Sequence, residues 1–301
     1  MKKGIYNPNN IEKFSFVLVL LSVVIDDFTK EMVGSGKALN LPQQVFNKLL
    51  LRTRSNLEAL ICLLDVYKEQ SFIFHSISHI YRTLLVDFLN FCYLMSFYDP
   101  EEPDFSSFKN EYDFFNRDYL KSLLEMDEVE RLIPQECPMY DIVNKSQEKR
   151  EQNLIQLKTY FAHLYRNSNI NGEIKTAEEL RVNSKDSLFE SKDDRANPKI
   201  AMLSEKRKFR RILKSDYKEY ADIFIYYKYF TQQYHFSGHS NLHAGQDSSG
   251  ENYHNLVWCT YRMTDFVKLQ IQEIVGDRRY EEKIHQIQTQ LTDCLKPTIQ
   301  D

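Results

Sequence analysis

The sequence predicts an all-α protein, an irregular bundle of long helices with one polar inserted segment. Three observations carry that prediction. Gly and Pro number only eight each in 301 residues, well under the typical combined share of about 12 per cent, so turns are few and elements long. Apolar residues recur at three- and four-residue spacing through most of the chain, the period of a helix that buries one face. No Asn-Gly or Asp-Gly pair joins two alternating segments, so the hairpin signal of a sheet is missing.

Taken in order, the first helix is expected from about Asn10 to Met32, ending at the Gly34-Ser35-Gly36 turn. Its apolar run Phe14–Ile25 covers 12 residues, roughly 18 Å of a hydrocarbon core about 30 Å thick, so it reads as a core helix and no membrane partner is expected. No small-residue cleavage site follows it, which argues against a signal peptide. Pro42 opens a second helix that runs to about Gln70, with Phe46, Leu50, Leu57, Leu60, Ile61 and Leu64 on its apolar face. Ser71 to Tyr98 forms a third helix, closed by Asp99-Pro100. Shorter helices follow through Leu132, Pro134 and Pro138 break the chain, and another helix spans about Ser146–Arg166.

The stretch Asn167–Asn197 is polar and poor in large apolar groups, the composition of an insertion or arm. A basic segment near Ala201 leads into an aromatic helix, about Ser215 to Gln233. After the loop Ala244–Gly250 comes a final pair, Glu251–Val275 and Asp277–Cys294, with Gly276 as the stop between them. The expected organisation is an N-terminal helical part (1–166), the polar insertion (167–200) and a C-terminal helical part (201–301) that packs on the first as one composite domain.

The net charge of −4 excludes the whole chain as a polyanion binder but leaves room for local basic patches. Cys62, Cys92, Cys137, Cys259 and Cys294 are far apart and odd in number. They give no disulfide framework and no zinc or redox spacing, and buried free thiols in a reducing cytoplasm are expected. No Walker loop, dinucleotide fingerprint, kinase signature or nucleophile elbow occurs.

Six of the eight histidines fall in two short stretches. On the third helix His75, His79 and Arg82 share about 60° of arc, with Thr83 and Asn90 beside them and Asp87 further round. The rest of that helix is apolar nearly all round, so it is expected to be central, and a polar stripe on it must meet partners. The second stretch carries His235, Ser237, His239, Ser240, His243 and His254. Its imidazoles and hydroxyls are the ingredients of a nucleophile and its base, and His235, His239 and His243, four apart, could instead chelate one divalent metal. A structural hydrogen-bond network accounts for the same residues.

Lys206, Arg207, Lys208, Arg210, Arg211 and Lys214 put six basic residues in nine positions. Such a run can neutralise phosphates of RNA or a nucleotide. A solvated face pairing with Glu205, Asp216 and Glu219 is the ordinary alternative.

The segments Tyr81-Arg82-Thr83-Leu84-Leu85-Val86-Asp87 and Tyr234-x-x-Ser237-x-x-Ser240-x-x-His243 together resemble a widespread, largely uncharacterised bacterial helical domain family. That family pairs an Arg/acidic helix with a Tyr-Ser-His run, and its acidic residue usually sits where Val86 is. More distantly, it is similar to the HEPN ribonucleases and toxins of phage-defence and toxin–antitoxin loci, whose arginine, four to six residues, histidine signature has one match here, Arg279-x5-His285. The resemblance implies a cytoplasmic helical protein that acts on RNA or a nucleotide without a cofactor, pairing as a homodimer or with a protein partner. In that reading His243, with His239 in reserve, is the general acid or base. Arg82 stabilises phosphate charge, His79 and Ser240 position the substrate, and Lys206, Arg207, Lys208, Arg210 and Arg211 bind it. A non-catalytic, antitoxin-like interaction module and a metal-dependent hydrolase using the histidine cluster are the alternatives.

Overall fold

The computed structural model describes residues 8–67, 69–70, 73–113, 115–116, 204–234, 251–275 and 278–295. No strand occurs among the described residues, and the all-α prediction holds. The helices are α1 (Pro8–Ser35), α2 (Leu41–Tyr67), α3 (Phe74–Met95), α4 (Glu205–Ile212), α5 (Ile223–Tyr234), α6 (Glu251–Val275) and α7 (Glu281–Cys294). The chain divides into two compact units, one made of Met1–Phe105 with Glu205–Asp301 and the other of Ser106–Ser204. All seven helices belong to the first unit. In the second, residues 106–113 are helical, and the Phe108 and Tyr112 rings stack at 6.4 Å. The expected breaks at 166/167 and 200/201 lie outside the described residues.

Local chemistry explains the helix limits. Ile11, Phe14, Leu18, Leu21, Ile25 and Phe28 form one buried stripe along α1, each worth roughly 1.5–3 kcal/mol when fully enclosed. The helix stops at Gly36, whose φ of +60° suits the left-handed stop residue. At the start of α2, Asn40 and Gln43 cap each other. The Gln43 amide donates to Asn40 Oδ1 at 3.0 Å, and the Asn40 amide donates to Gln43 Oε1 at 3.1 Å, a reciprocal box that satisfies two otherwise unpaired N–H groups.

α6 touches α1, α2, α3, α5 and α7, while α3 packs on α2, α4, α5 and α6. Ring contacts bind this centre: Phe88 stacks on Phe266 at 4.8 Å and Tyr81 on Phe230 at 5.3 Å, and Phe46 meets Phe91 edge to face at 4.9 Å. Polar crosslinks fix the register. Gln270 donates to the Phe46 carbonyl at 3.2 Å, Gln43 to the Ile274 carbonyl at 3.0 Å, and the Tyr253 hydroxyl to the Asn10 carbonyl at 3.0 Å. α3 is central, as its all-round apolarity predicts. No described helix is long and apolar enough to cross a membrane. Cys92, Cys259 and Cys294 are buried free thiols, whereas Cys62 is exposed. Cys137 lies outside the described residues.

Candidate functional site

α3 presents its polar residues to three different neighbours. His79 is exposed and His75 half-buried, so the imidazole stripe runs along the edge of the bundle, not through its interior. Arg82 is half-buried, with its guanidinium carbon 6.0 Å from the Tyr227 ring centre on α5. Asp87 is the enclosed member, only 1 % exposed. Its Oδ2 lies 3.1 Å from Arg52 Nε on α2. One turn on, Asn90 Oδ1 accepts a 2.8 Å hydrogen bond from Lys208 Nζ on α4, and Lys208 in turn lies 4.0 Å from Glu205. Burial pushes the Asp87 carboxyl up to about 6, although Arg52 and Lys208 pull it back. Desolvation therefore outweighs two nearby cations.

The basic run divides by direction. Lys208 is 5 % exposed, contrary to its reading as a substrate-binding residue, because its long stem lies against α3 and delivers the ammonium to Asn90. Arg211 donates to Ser96 Oγ at 3.1 Å and to the Ser96 carbonyl at 3.0 Å. Its guanidinium lies 4.2 Å from the Phe97 ring centre. It thus caps the end of α3, where carbonyls point outward and a cation is favoured. Arg207 is half-buried, and Lys206, Arg210 and Lys214 are exposed.

Tyr81, the first residue of the Arg/acidic segment, is fully buried, and its hydroxyl lies 2.6 Å from Thr260 Oγ1. Thr260 already gives its proton to the Leu256 carbonyl at 2.9 Å. A hydroxyl has one proton, so Tyr81 is the donor in this pair. Burial raises the Tyr81 pKa, and the group serves as a neutral interior donor.

The sequence reading missed a second polar cluster, which joins the turn before α5 to α6 and α7. Arg262 donates to Asp222 Oδ2 through Nε at 2.9 Å and Nη2 at 2.7 Å, and to Asp265 Oδ2 through Nη1 at 3.3 Å. Gln288 donates to the other Asp265 oxygen at 2.8 Å. The guanidinium sits 5.9 Å from the Tyr220 ring centre and 5.7 Å from that of Trp258, within cation–π range. Burial pushes the Asp265 carboxyl up, against the pull of Arg262. The one local signal was Arg262 and Asp265 at i,i+3 on an apolar helix.

Arg279 and His285, the HEPN-type match, lie in different surroundings. The Arg279 guanidinium is ion-paired with Glu31 of α1. His285 instead lines a cleft of about 450 Å³ between α6 and α7, with Lys268, Arg278 and Gln288. His235, His239, Ser240 and His243 lie outside the described residues, as does any meeting of His243 with Arg82. Among the described residues no three His, Cys, Asp or Glu side chains gather to hold a metal ion, and His254 is exposed. No protein-family model, curated protein or solved structure matches the chain.

Proposed function

We propose that this chain binds RNA or a nucleotide by its phosphates through α4, as a HEPN-like helical effector of the ribonuclease or toxin type in the bacterial cytoplasm during phage defence. The division of the basic run carries the reading. Lys208 and Arg211 fasten α4 to α3, while Lys206 and Arg210 stay on the surface four residues apart on one side of α4, with Lys214 exposed in the turn just past its end. Docked in that way, α4 presents a fixed cationic edge, the type of surface that meets a phosphate backbone.

Asp87 has no part in chemistry on a macromolecule in this reading, because it is enclosed. Any cleavage would fall to Arg82 and His79 with His243, His239 and Ser240, without a cofactor or with a divalent metal on His235, His239 and His243. A non-catalytic, antitoxin-like module that engages a protein partner is the second reading. It is favoured by the way the polar groups of α3 find partners on neighbouring helices, Asp87 with Arg52, Asn90 with Lys208 and Tyr81 with Thr260.

Filter binding of the full chain to a single-stranded RNA over a salt series tests the first reading. The combined Lys206→Glu, Arg210→Glu and Lys214→Glu variant should bind at least about tenfold more weakly. Its log–log salt slope should be shallower by about 2, at roughly 0.7 for every phosphate left without a cation. Unchanged affinity and slope would remove α4 as the contact surface. Loss of RNA cleavage in His243→Ala, with binding intact, would separate an effector from a module.

A further inference from the structure

α1 carries, on the side facing away from the bundle, a short row of apolar groups. Phe16 is 58 % exposed, Val23 47 % and Val19 37 %, and Leu20 beside them is half-buried. Single exposed apolar residues need no explanation, but four on two adjoining turns of one helix form a patch. The order of the residues along it is unusual. Stepping outward from the midpoint between Val19 and Leu20, the next positions are Phe16 and Val23, and then Lys13 and Asp26. The spacing is the same in both directions, the inner pairs are apolar and the outer pair has opposite charge.

We propose that a second copy of this chain covers the face, the two α1 helices pairing antiparallel about a two-fold axis at Val19 and Leu20. A two-fold interface brings each patch onto itself, so it must be self-complementary. An antiparallel arrangement sets Phe16 of one copy against Val23 of the other. It also sets Lys13 of each against Asp26 of the other, at both ends of the row. Asp26 already pairs with Arg54 Nη1 at 2.6 Å and Lys30 Nζ at 3.8 Å, so the incoming ammonium meets a carboxylate whose charge is shared, and the apolar row supplies most of the attraction. The same register places Glu12 across from Asp27, whose charge Lys283 meets at 3.4 Å. A parallel pairing would set Lys13 against Lys13 and Asp26 against Asp26, and like charges oppose it. One helix face falls short of the ~800 Å² per partner of a standard interface, so the dimer is a weak one that follows concentration.

Sedimentation velocity of the full chain from about 1 to about 100 µM, the range in which such a weak dimer forms, supplies the first test. The mass should climb towards twice that of one chain, and Phe16→Asp with Val23→Asp should weaken association at least tenfold. The melting temperature should not change, since both side chains are exposed. Oxidative cross-linking in a Cys62→Ser background tests the register. Val19→Cys should cross-link to itself, and Phe16→Cys should cross-link to Val23→Cys far better than to another Phe16→Cys. A monomer at every concentration, association indifferent to Phe16 and Val23, or equal cross-linking at Phe16 alone would each overturn the proposal.

Discussion

Two ion clusters hold α3 and α6 to their neighbours, and they are built in opposite ways. At Asp87 the buried partner is the anion. Its side chain is 2 % exposed, while that of Arg52 is 59 % exposed and reaches in from solvent. At Arg262 the cation is in the middle, 21 % exposed, forked between Asp222 and Asp265 at 29 % and 17 % and flanked by two rings. A guanidinium cannot shed its proton in a protein, so the second cluster must keep that central positive charge and satisfy it. A carboxylate can take one up, so the first has a way out when desolvation is too costly. Where the charge sits decides whether a cluster is fixed or responsive.

The largest expected effect follows from the fixed cluster. Arg262→Ala leaves two half-enclosed carboxylates facing an empty fork. Breaking a buried pair costs about 3–5 kcal/mol, and the partial exposure of all three groups brings the expected loss below that range, to about 2–3 kcal/mol, read as a shift in urea midpoint. A loss under about 1 kcal/mol would erase the distinction between the clusters.

The responsive cluster gives an effect of comparable size, up to about 3 kcal/mol. With its carboxyl raised from 3.8 to about 6, Asp87 binds a proton more tightly in the folded chain than in the unfolded one. Its contribution is therefore greatest below the unfolded value and is lost as pH rises from about 4 through 6. Asp87→Asn should flatten that part of the stability profile and be neutral or stabilising at pH 7. The contribution cannot come from Asp87 if the slope between pH 4 and 6 survives the substitution. The smallest effect belongs to Lys208→Ala, which removes the anchor of α4. A hydrogen bond from a charged group supports a loss of about 1–2 kcal/mol, to be read from thermal unfolding, and a variant as stable as the parent would show that α4 is held by packing alone.

Fold class and most helix limits were legible because they depend on local spacing. Phe14 to Ile25, the Gly36 stop and the Pro42 start all act within a few residues, and the observed α1 and α2 differ from expectation by about a turn or less. The aromatic helix fared less well. A 3₁₀ turn at Lys218–Tyr220 precedes it, and α5 begins only at Ile223. Wheel arithmetic placed His75, His79 and Arg82 together correctly, but it cannot say which side of a helix its neighbours cover. α2 and α4 enclose the side bearing Asp87 and leave His79 in solvent. Composition marked Lys208 as a surface residue, yet its stem is apolar and its ammonium found Asn90, 118 residues away. Asp222 and Arg262 are 40 residues apart, and no periodic signal links them.

That 118-residue separation bears on how the bundle is assembled. α1 and α2 are joined by a turn of a few residues whose stop glycine and capping box are written locally, so the two helices meet at little entropic cost. α4 reaches α3 from far along the chain, so no local turn sets its position, and the hydrogen bonds of Lys208 to Asn90 and of Arg211 to Ser96 fix where it docks. The Phe209 ring stacked on Phe224 and the buried Ile212 hold the same helix from its apolar side.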